Sequence, residues 1–283
     1  MATIVLALAA AALYGLSDFA GGAVSRRASV WGVAIVTQVT AVVALGALTM
    51  LQPGSPTRAD LAWGALAGVG TGVGTGFLYR GLSAGRMGVV APLSAVGAAL
   101  LPVIVGIVSG ERPHLLTLLG IACAFPAIWL VSTSTDTPDV AGQAEGRLNE
   151  DVANGLLAGL GFGLMFSALG QVPASAGLAP LAMAELSSVA AVVILAMAMR
   201  QSWLPAGRAA WNGVVVGALA AAATICFLFA TQSGLLAVAS VLSSLYPAVT
   251  VLLAAVVLHE RIHRRQGVGL ALTLAAVALV ATG

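Results

Sequence analysis

The chain has 283 residues, of which 60% are hydrophobic and only 8% are charged, and its mean hydropathy is +1.04. Soluble domains contain about 25% charged residues, so this composition cannot supply a surface that faces water on all sides. A membrane helix needs roughly 20 residues and a short loop, which leaves room for about ten spans and no sizeable soluble domain. We therefore expect an integral membrane protein.

The charged residues and the cysteines exclude several other classes of function. The 12 strongly basic residues are all arginine, so no lysine is present for a nucleotide-binding phosphate loop, a Schiff base or a general base. The net charge of +2 is small and scattered, which argues against nucleic-acid binding. Cys123 and Cys226 lie in apolar runs, which is typical of small core residues rather than of a disulfide or a metal site.

Apolar runs bounded by glycine, proline, arginine and polar clusters predict ten membrane spans. They lie near residues 3–24, 30–51, 61–79, 88–109, 115–132, 152–170, 178–199, 210–231, 236–258 and 266–282. Runs of this length without strict alternation are typical of helices, since lipid offers no water to an unpaired backbone. The first run is expected to be a span rather than a cleaved signal. We expect a multi-pass protein of the cell membrane.

A polar stretch in the middle of the chain divides these spans into two sets of five. It holds half of all the carboxylates, namely Asp136, Asp139, Glu145, Glu150 and Asp151. We interpret residues 133–151 as a flexible acidic linker between a first unit, residues 1–132, and a second unit, residues 152–283. Five is an odd number, so the second unit crosses the membrane upside down relative to the first. The predicted fold is all-α, with ten transmembrane helices as two inverted five-helix repeats.

The two halves also share a sequence pattern. Residues 88–112 align without a gap with residues 237–261, which matches Leu93 with Leu242 and Ser94 with Ser243. Each segment ends in a Glu-Arg pair that is followed by one more span; the pairs are Glu111-Arg112 and Glu260-Arg261. At a helix end, an ion pair and anchoring at the membrane interface would explain such a pair.

With these features the chain resembles the EamA family of the drug/metabolite transporter superfamily. The resemblance lies in the Glu-Arg ends, the small-residue helix before each, and the doubled five-helix unit. It includes two short segments, Tyr14-Gly15-Leu16-Ser17-Asp18-Phe19 at the place of a frequent Trp-Gly start and Leu78-Tyr79-Arg80-Gly81-Leu82 near the end of the third helix. The resemblance implies export of metabolites, amino acids or drugs through a central cavity. It also implies a driving force from an ion or proton gradient, or from the solute's own gradient.

Glycines are concentrated in the third and sixth predicted spans. They are Gly68, Gly70, Gly72, Gly74 and Gly76 in the third span and Gly155, Gly159 and Gly163 in the sixth. Such spacing lets helices approach closely in a membrane. Packing alone, and packing that also permits sliding, both remain open.

Asp18 and Glu185 are the only carboxylates well inside predicted spans. A charge at that depth costs at least ~2.5–3.5 kcal/mol, so we expect each acid to face a wet cavity or a partner. Asp18 lies past the middle of the first span and Glu185 before the middle of the seventh, which runs in the same direction. The two acids are thus expected on opposite sides of the midplane. Coupling to protons or cations, contact with a substrate amine, and a structural role near a helix end are the alternatives.

A second set of candidate residues is polar but uncharged. It consists of Gln38, Tyr79, Ser94, Gln232, Ser240, Ser243, Ser244 and Tyr246. The three serines of the ninth span recur at helical spacing and form one polar stripe, for which cavity lining and helix packing are equally open. Pro92, Pro102 and Pro247 free backbone carbonyls and are expected to kink the fourth and ninth spans.

The leading functional hypothesis is a secondary transporter of small metabolites, an exporter of amino acids, drugs or related solutes that works by alternating access between the two repeats. A non-transporting receptor and a membrane-embedded enzyme are the alternatives. We expect no enzyme, because no cluster of histidines or carboxylates is evident near an interface. The expected partners are a small solute, the lipid bilayer and protons or cations. Nucleic acid, metal ions and cofactors are not expected.

The orientation of the chain has two competing predictions. Ten of the 12 arginines fall in loops after odd-numbered spans. By the positive-inside rule those loops are cytoplasmic and both termini lie outside. The family resemblance implies the opposite, with both termini inside.

Overall fold

The computed structural model describes residues 1–25, 28–51, 53–83, 87–132, 144–205, 207–257 and 262–282. These residues form eleven α-helices and two short 3₁₀ helices, Ala174–Ala176 and Arg208–Asn212, and no strand. The α-helices are α1 (Ala2–Ser25), α2 (Val30–Leu51), α3 (Arg58–Ser83), α4 (Met87–Val108), α5 (Leu115–Ser132), α6 (Ala144–Leu169), α7 (Ala179–Ala198), α8 (Gly213–Gln232), α9 (Leu236–Ser243), α10 (Tyr246–Val257) and α11 (Arg264–Thr282). For this part of the chain, the predicted all-helical class is confirmed.

Eight helical segments of the described chain are long and apolar enough to cross a membrane, and α9 and α10 together count as one of them. Two further apolar segments, Leu93–Val108 and Leu115–Val131, are shorter and correspond to the predicted fourth and fifth spans. The 18 residues of α5 rise about 27 Å at 1.5 Å per residue, close to the ~30 Å of a bilayer core.

Helix α6 begins earlier than the sequence predicts. Its first residue is Ala144, although the apolar run starts near residue 152. Hydropathy detects only the apolar part of a helix, whereas alanine, glutamate, arginine and leucine favour helix in water as well. The last eight residues of the predicted linker, 144–151, therefore belong to helix α6. Asp136 and Asp139 lie outside the described residues.

The predicted ninth span is broken in its middle. Helix α9 ends at Ser243, a turn follows at Ser244 and Leu245, and α10 begins at Tyr246. Pro247 is the second residue of α10, a position where its missing amide hydrogen removes no helical hydrogen bond. The fourth span shows no such break, since α4 runs through Pro102 without interruption. The sequence predicts a kink in both spans. The structure has a full break before Pro247 in the ninth span and a continuous helix through Pro102 in the fourth.

The Glu-Arg pair at the end of α4 caps two helices. Gly110 has a φ of 102°, and the amide of Glu111 donates to the Gly106 carbonyl (2.9 Å), which ends α4 in a left-handed turn. The Glu111 carboxylate accepts hydrogen bonds from the amides of Leu236 and, at 3.0 Å, Ala237. These are the first amides of α9, which have no partner within their helix and carry positive dipole charge.

Arg112 makes its own contacts at the same place. One guanidinium nitrogen donates to the carbonyls of Ile107 (3.3 Å) and Glu111 (3.0 Å), near the carboxyl end of α4. The expected ion pair within Glu111-Arg112 was therefore wrong, because each side chain is engaged with a helix end. Glu260 and Arg261 lie outside the described residues.

Glycines bring α3 against α6 and α7. A Cβ atom at Gly72 would lie 2.6 Å from the Cβ of Ala191 on α7, and one at Gly74 would lie 2.6 Å from the Phe162 ring on α6. Helices α4 and α6 are equally close, since a Cβ at Gly97 would lie 2.7 Å from the Gly159 Cα. The close approach predicted from the glycine spacing is confirmed.

Helix positions and contacts recur along the chain. Helices α2, α4 and α5 start at Val30, Met87 and Leu115, and α7, α9 and α11 start at Ala179, Leu236 and Arg264, in each case 149 positions later. The contacts recur as well: α3 packs on α6 and α7, while α8 packs on α1 and α2. Helix α4 packs on α6, and the α9–α10 pair packs on α1.

We predict that Glu111→Gln lowers the free energy of unfolding by about 1–2 kcal/mol, because an amide accepts through one oxygen only and carries no charge for the α9 dipole. The measurement is thermal or denaturant unfolding of the purified protein in detergent. Glu150→Gln, the same change at an exposed residue, is the matched control. Gly106→Ala should act like Glu111→Gln, since its Cβ would lie 2.8 Å from the Glu111 Cδ. Equal stability of Glu111→Gln and Glu150→Gln would show that this cap contributes nothing.

Candidate functional site

A cavity lies near the middle of the bundle and is lined by seven helices. Helices α1, α2 and α3 contribute from the first half of the chain, and α6, α7, α8 and α10 from the second. Its volume open to the centres of water molecules is about 60 Å³. One water requires about 10–15 Å³ on this measure, so the cavity has room for a compact solute or for several waters.

Glu185 is the more buried of the two carboxylates that line the cavity. It lies on α7, is only 4% exposed, and its Oε2 atom has no hydrogen-bond partner in the structure. One turn further along α7, Ser188 is fully buried and accepts a hydrogen bond from the Gln38 amide nitrogen on α2. Buried polar atoms almost always have a partner, so a carboxylate oxygen without one is more typical of a binding site than of a packed core.

Asp18 lines the same cavity from α1 and is partly exposed. Its neighbour Ser17 donates to the Val216 carbonyl on α8 (3.1 Å), which fixes this face of α1. One turn beyond Asp18, Gly21 lies against the Tyr79 hydroxyl of α3, since a Cβ there would be 2.7 Å from that oxygen. Asp18 and Tyr79 are thereby held on the same wall.

Two of the cavity's tyrosines tie the halves of the chain together. The Tyr14 hydroxyl shares a hydrogen bond with Thr224 Oγ1 (3.1 Å), and the Tyr246 hydroxyl shares one with Ser94 Oγ (3.2 Å). The rings of Tyr14 and Tyr246 meet edge to face, with centroids 6.5 Å apart. Phe166 packs on Tyr14 with centroids 6.0 Å apart, so the cavity has an aromatic wall with its hydroxyls fixed.

The structure brings half of the sequence-predicted site residues together. The cavity lining includes Asp18, Gln38, Tyr79, Glu185 and Tyr246, and Ser94 lies one hydrogen bond away from it. The two deep acids, which the sequence places on opposite sides of the midplane, line one cavity.

The other four predicted residues are not in the lining. Ser240 donates to the Leu236 carbonyl (2.7 Å), and Ser243 donates to the Ala7 carbonyl (3.3 Å). Ser244 is fully buried with no partner for its hydroxyl in the structure. Gln232 lies at the end of α8, where its amide donates to the Val172 carbonyl (3.4 Å). Two of the three serines in the stripe of the ninth span thus bond to backbone carbonyls.

Sequence reasoning missed eleven other lining residues, among them Tyr14, Thr37, Thr71, Thr75, Phe162, Phe166 and Thr224. Thr71 and Thr75 are one helical turn apart in the glycine-rich α3. The spacing rule that picked out the serines would have found them. The phenylalanines carry no such signal, because an apolar residue on a membrane helix faces lipid, core or cavity equally well.

We predict that a cysteine at Thr71 reacts with a small water-soluble thiosulfonate, whereas a cysteine at Ser243 does not. The background is Cys123→Ala with Cys226→Ala, and labelling is measured by mass spectrometry. The cationic aminoethyl reagent should react with the Thr71 cysteine faster than the anionic sulfonatoethyl reagent, because two carboxylates line the cavity. Equal labelling at the two positions would contradict the cavity described here.

Comparison with known proteins agrees with this architecture. The model of the EamA-like transporter family matches residues 1–133 and 152–282. No curated protein matches the chain significantly. Eighteen chains of solved structures do. One of them, a crystal structure, has a TM-score of 0.72 and 16% sequence identity, and the match covers 99% of this chain and 98% of that one. The identity is low, so this likeness concerns the fold alone.

The family match covers nearly the whole sequence, and the chain is a multi-pass membrane protein that belongs to the EamA-like transporter family.

Proposed function

We propose that this protein is a secondary transporter that exports small metabolites across the cell membrane by alternating access to its central cavity. The observation that carries the proposal is the cavity itself, to which both halves of the chain contribute helices and which contains Asp18 and Glu185. A shared cavity between two units is what alternating access requires, because each unit can open one side as they move against each other.

Two inverted five-helix repeats are part of this proposal. Support comes from the spacing of 149 positions that separates three pairs of helix starts, those of α2 and α7, α4 and α9, and α5 and α11. The paired packing contacts and the family match in two parts support it too. On this basis Leu93–Val108 and Leu115–Val131 complete ten spans, with residues 1–132 and 152–283 as the repeated units.

The packing of the bundle offers places where the units can move. The glycine contacts of α3 with α6 and α7 join the two halves without bulky side chains between the backbones. Small-residue interfaces of this kind allow close packing with little side-chain interlocking. The break at Ser244 and Leu245 lies directly before Tyr246, so α10 can change its angle beside the cavity without bending a continuous helix.

Asp18 and Glu185 are proposed to couple transport to a proton or cation gradient. Burial disfavours the charged form of a carboxyl group, so a change in its access to water changes its affinity for a proton. Alternating access changes the water access of the cavity in each cycle. Each acid could then take up a proton on one side of the membrane and release it on the other.

We predict that Asp18→Asn and Glu185→Gln fold and express normally but lose gradient-driven export, since each keeps the shape of the side chain without its titration. The measurement compares metabolites in the medium of cells with the parent, each variant or no protein, by mass spectrometry, over external pH 5 to 8. Glu150→Gln, at an exposed residue outside the cavity, should export like the parent.

Two results would contradict the proposal. Export that is unchanged in both neutral variants at every pH would rule out coupling through these acids and leave a facilitator. No difference in any metabolite between parent cells and cells without the protein would argue against export itself and favour a receptor.

A further inference from the structure

The charges of the cavity have one sign. Among its described lining residues two are carboxylates, Asp18 and Glu185, and none is lysine, arginine or histidine. The remaining polar groups are hydroxyls and one amide, and several hydroxyls already donate; Thr71, for example, donates to the Ala67 carbonyl (3.0 Å). A hydroxyl that has donated its hydrogen presents an acceptor to the cavity. The electrostatic character of this site therefore favours a cation.

Glu185 has a carboxylate oxygen that can accept a hydrogen bond from a ligand. Its Oε2 atom is buried without a partner in the structure, and the residue lines the cavity. The hydrogen bond of the Gln38 side-chain nitrogen on α2 goes to Ser188, one turn from Glu185 on α7. An ammonium group would supply the missing donors and the opposite charge, which makes a strong charge-assisted hydrogen bond.

The walls of the cavity suit a ligand with an apolar body. Tyr14, Tyr79, Phe162, Phe166 and Tyr246 line it with aromatic rings. Aromatic faces attract cations and also bury apolar groups. The small volume of the cavity favours one compact amine over a polyamine or a peptide.

A site for the carboxylate of an amino acid is harder to find. The amino end of α10 reaches the cavity at Tyr246, and half-helix ends of this kind bind substrate carboxylates in other transporters. Here Pro247 has no amide hydrogen, and the Ala248 amide already donates to the Leu245 carbonyl (2.9 Å). The end of α10 thus has few free donors for an anion.

We propose that the cavity binds a small organic cation, a primary amine on an apolar body, with Glu185 as its counter-ion, and that it discriminates against amino acids and anions. This inference rests on the proposed function and names the substrate class of that site. Because the same carboxylates would also bind protons, amine and proton would compete for the cavity.

The test uses the purified full-length protein in detergent near neutral pH and three matched compounds. Phenethylamine is the cation, phenylalanine adds only a carboxylate to it, and 2-phenylethanol replaces the ammonium with a hydroxyl. Calorimetric titration should show phenethylamine binding at least tenfold tighter than either other compound. Glu185→Gln should weaken phenethylamine binding at least tenfold, whereas Glu150→Gln should leave it unchanged.

Each result decides between the possibilities. Phenylalanine that binds as tightly as phenethylamine would overturn the inference, and so would equal phenethylamine binding to the parent and to Glu185→Gln. No phenethylamine binding by a protein that keeps its cooperative unfolding transition would overturn it too. Export of another metabolite class in the cell assay would then leave the proposed transport function intact. Conversely, amine binding without any metabolite export would support the site and contradict transport.

Discussion

Inside a bilayer, a polar group finds a hydrogen-bond partner only in the protein or in a water-filled cavity, and most of this structure follows from that constraint. The backbone is helical throughout the described spans. Hydroxyls on those helices bond to carbonyls one turn earlier, as Thr49 does with Leu45 (2.8 Å) and Thr273 with Gly269 (3.0 Å). The start of α9 exposes amides that no preceding turn can satisfy, and the Glu111 carboxylate accepts from two of them.

Glu185 is the clearest departure from this rule among the described charged groups in the spans. A structural acid would be expected to find donors, as Glu111 does in two backbone amides. The carboxylate of Glu185 instead leaves one oxygen unpartnered while it lines a cavity with room for solute. An energetic penalty of this kind is typical of functional sites, where a ligand, water or proton compensates for it during the working cycle.

The sequence predicted the two cavity residues whose charge would be costly to place in lipid. It did not predict which uncharged residues face the cavity, because that depends on how each helix is rotated about its axis. Asp18 and Glu185 were evident because a charge in a span is too costly to face lipid. Ser240 and Tyr246 looked alike as polar residues of one span, yet one bonds to its own helix and the other lines the cavity. The break between α9 and α10 separates them, and the spacing rule assumes an unbroken helix. The early start of α6 escaped prediction for another reason, since hydropathy reports burial in lipid and not helix formation.

The positions of several helices recur in the second half of the chain, but the charged residues of the cavity do not. Under the 149-residue offset of α2 and α7, Glu185 corresponds to Val36, and helix α6, the counterpart of α1, contributes Phe162, Met165 and Phe166 but no carboxylate to the cavity. The backbone plan thus recurs while each acid occurs in one half only. In the proposed alternating-access cycle, two related repeats would give two related open states, and acids at non-equivalent positions would meet different surroundings in each. In the proposed transporter this difference in charge environment, rather than the backbone, would make the inward and outward states unequal in their affinity for proton and solute.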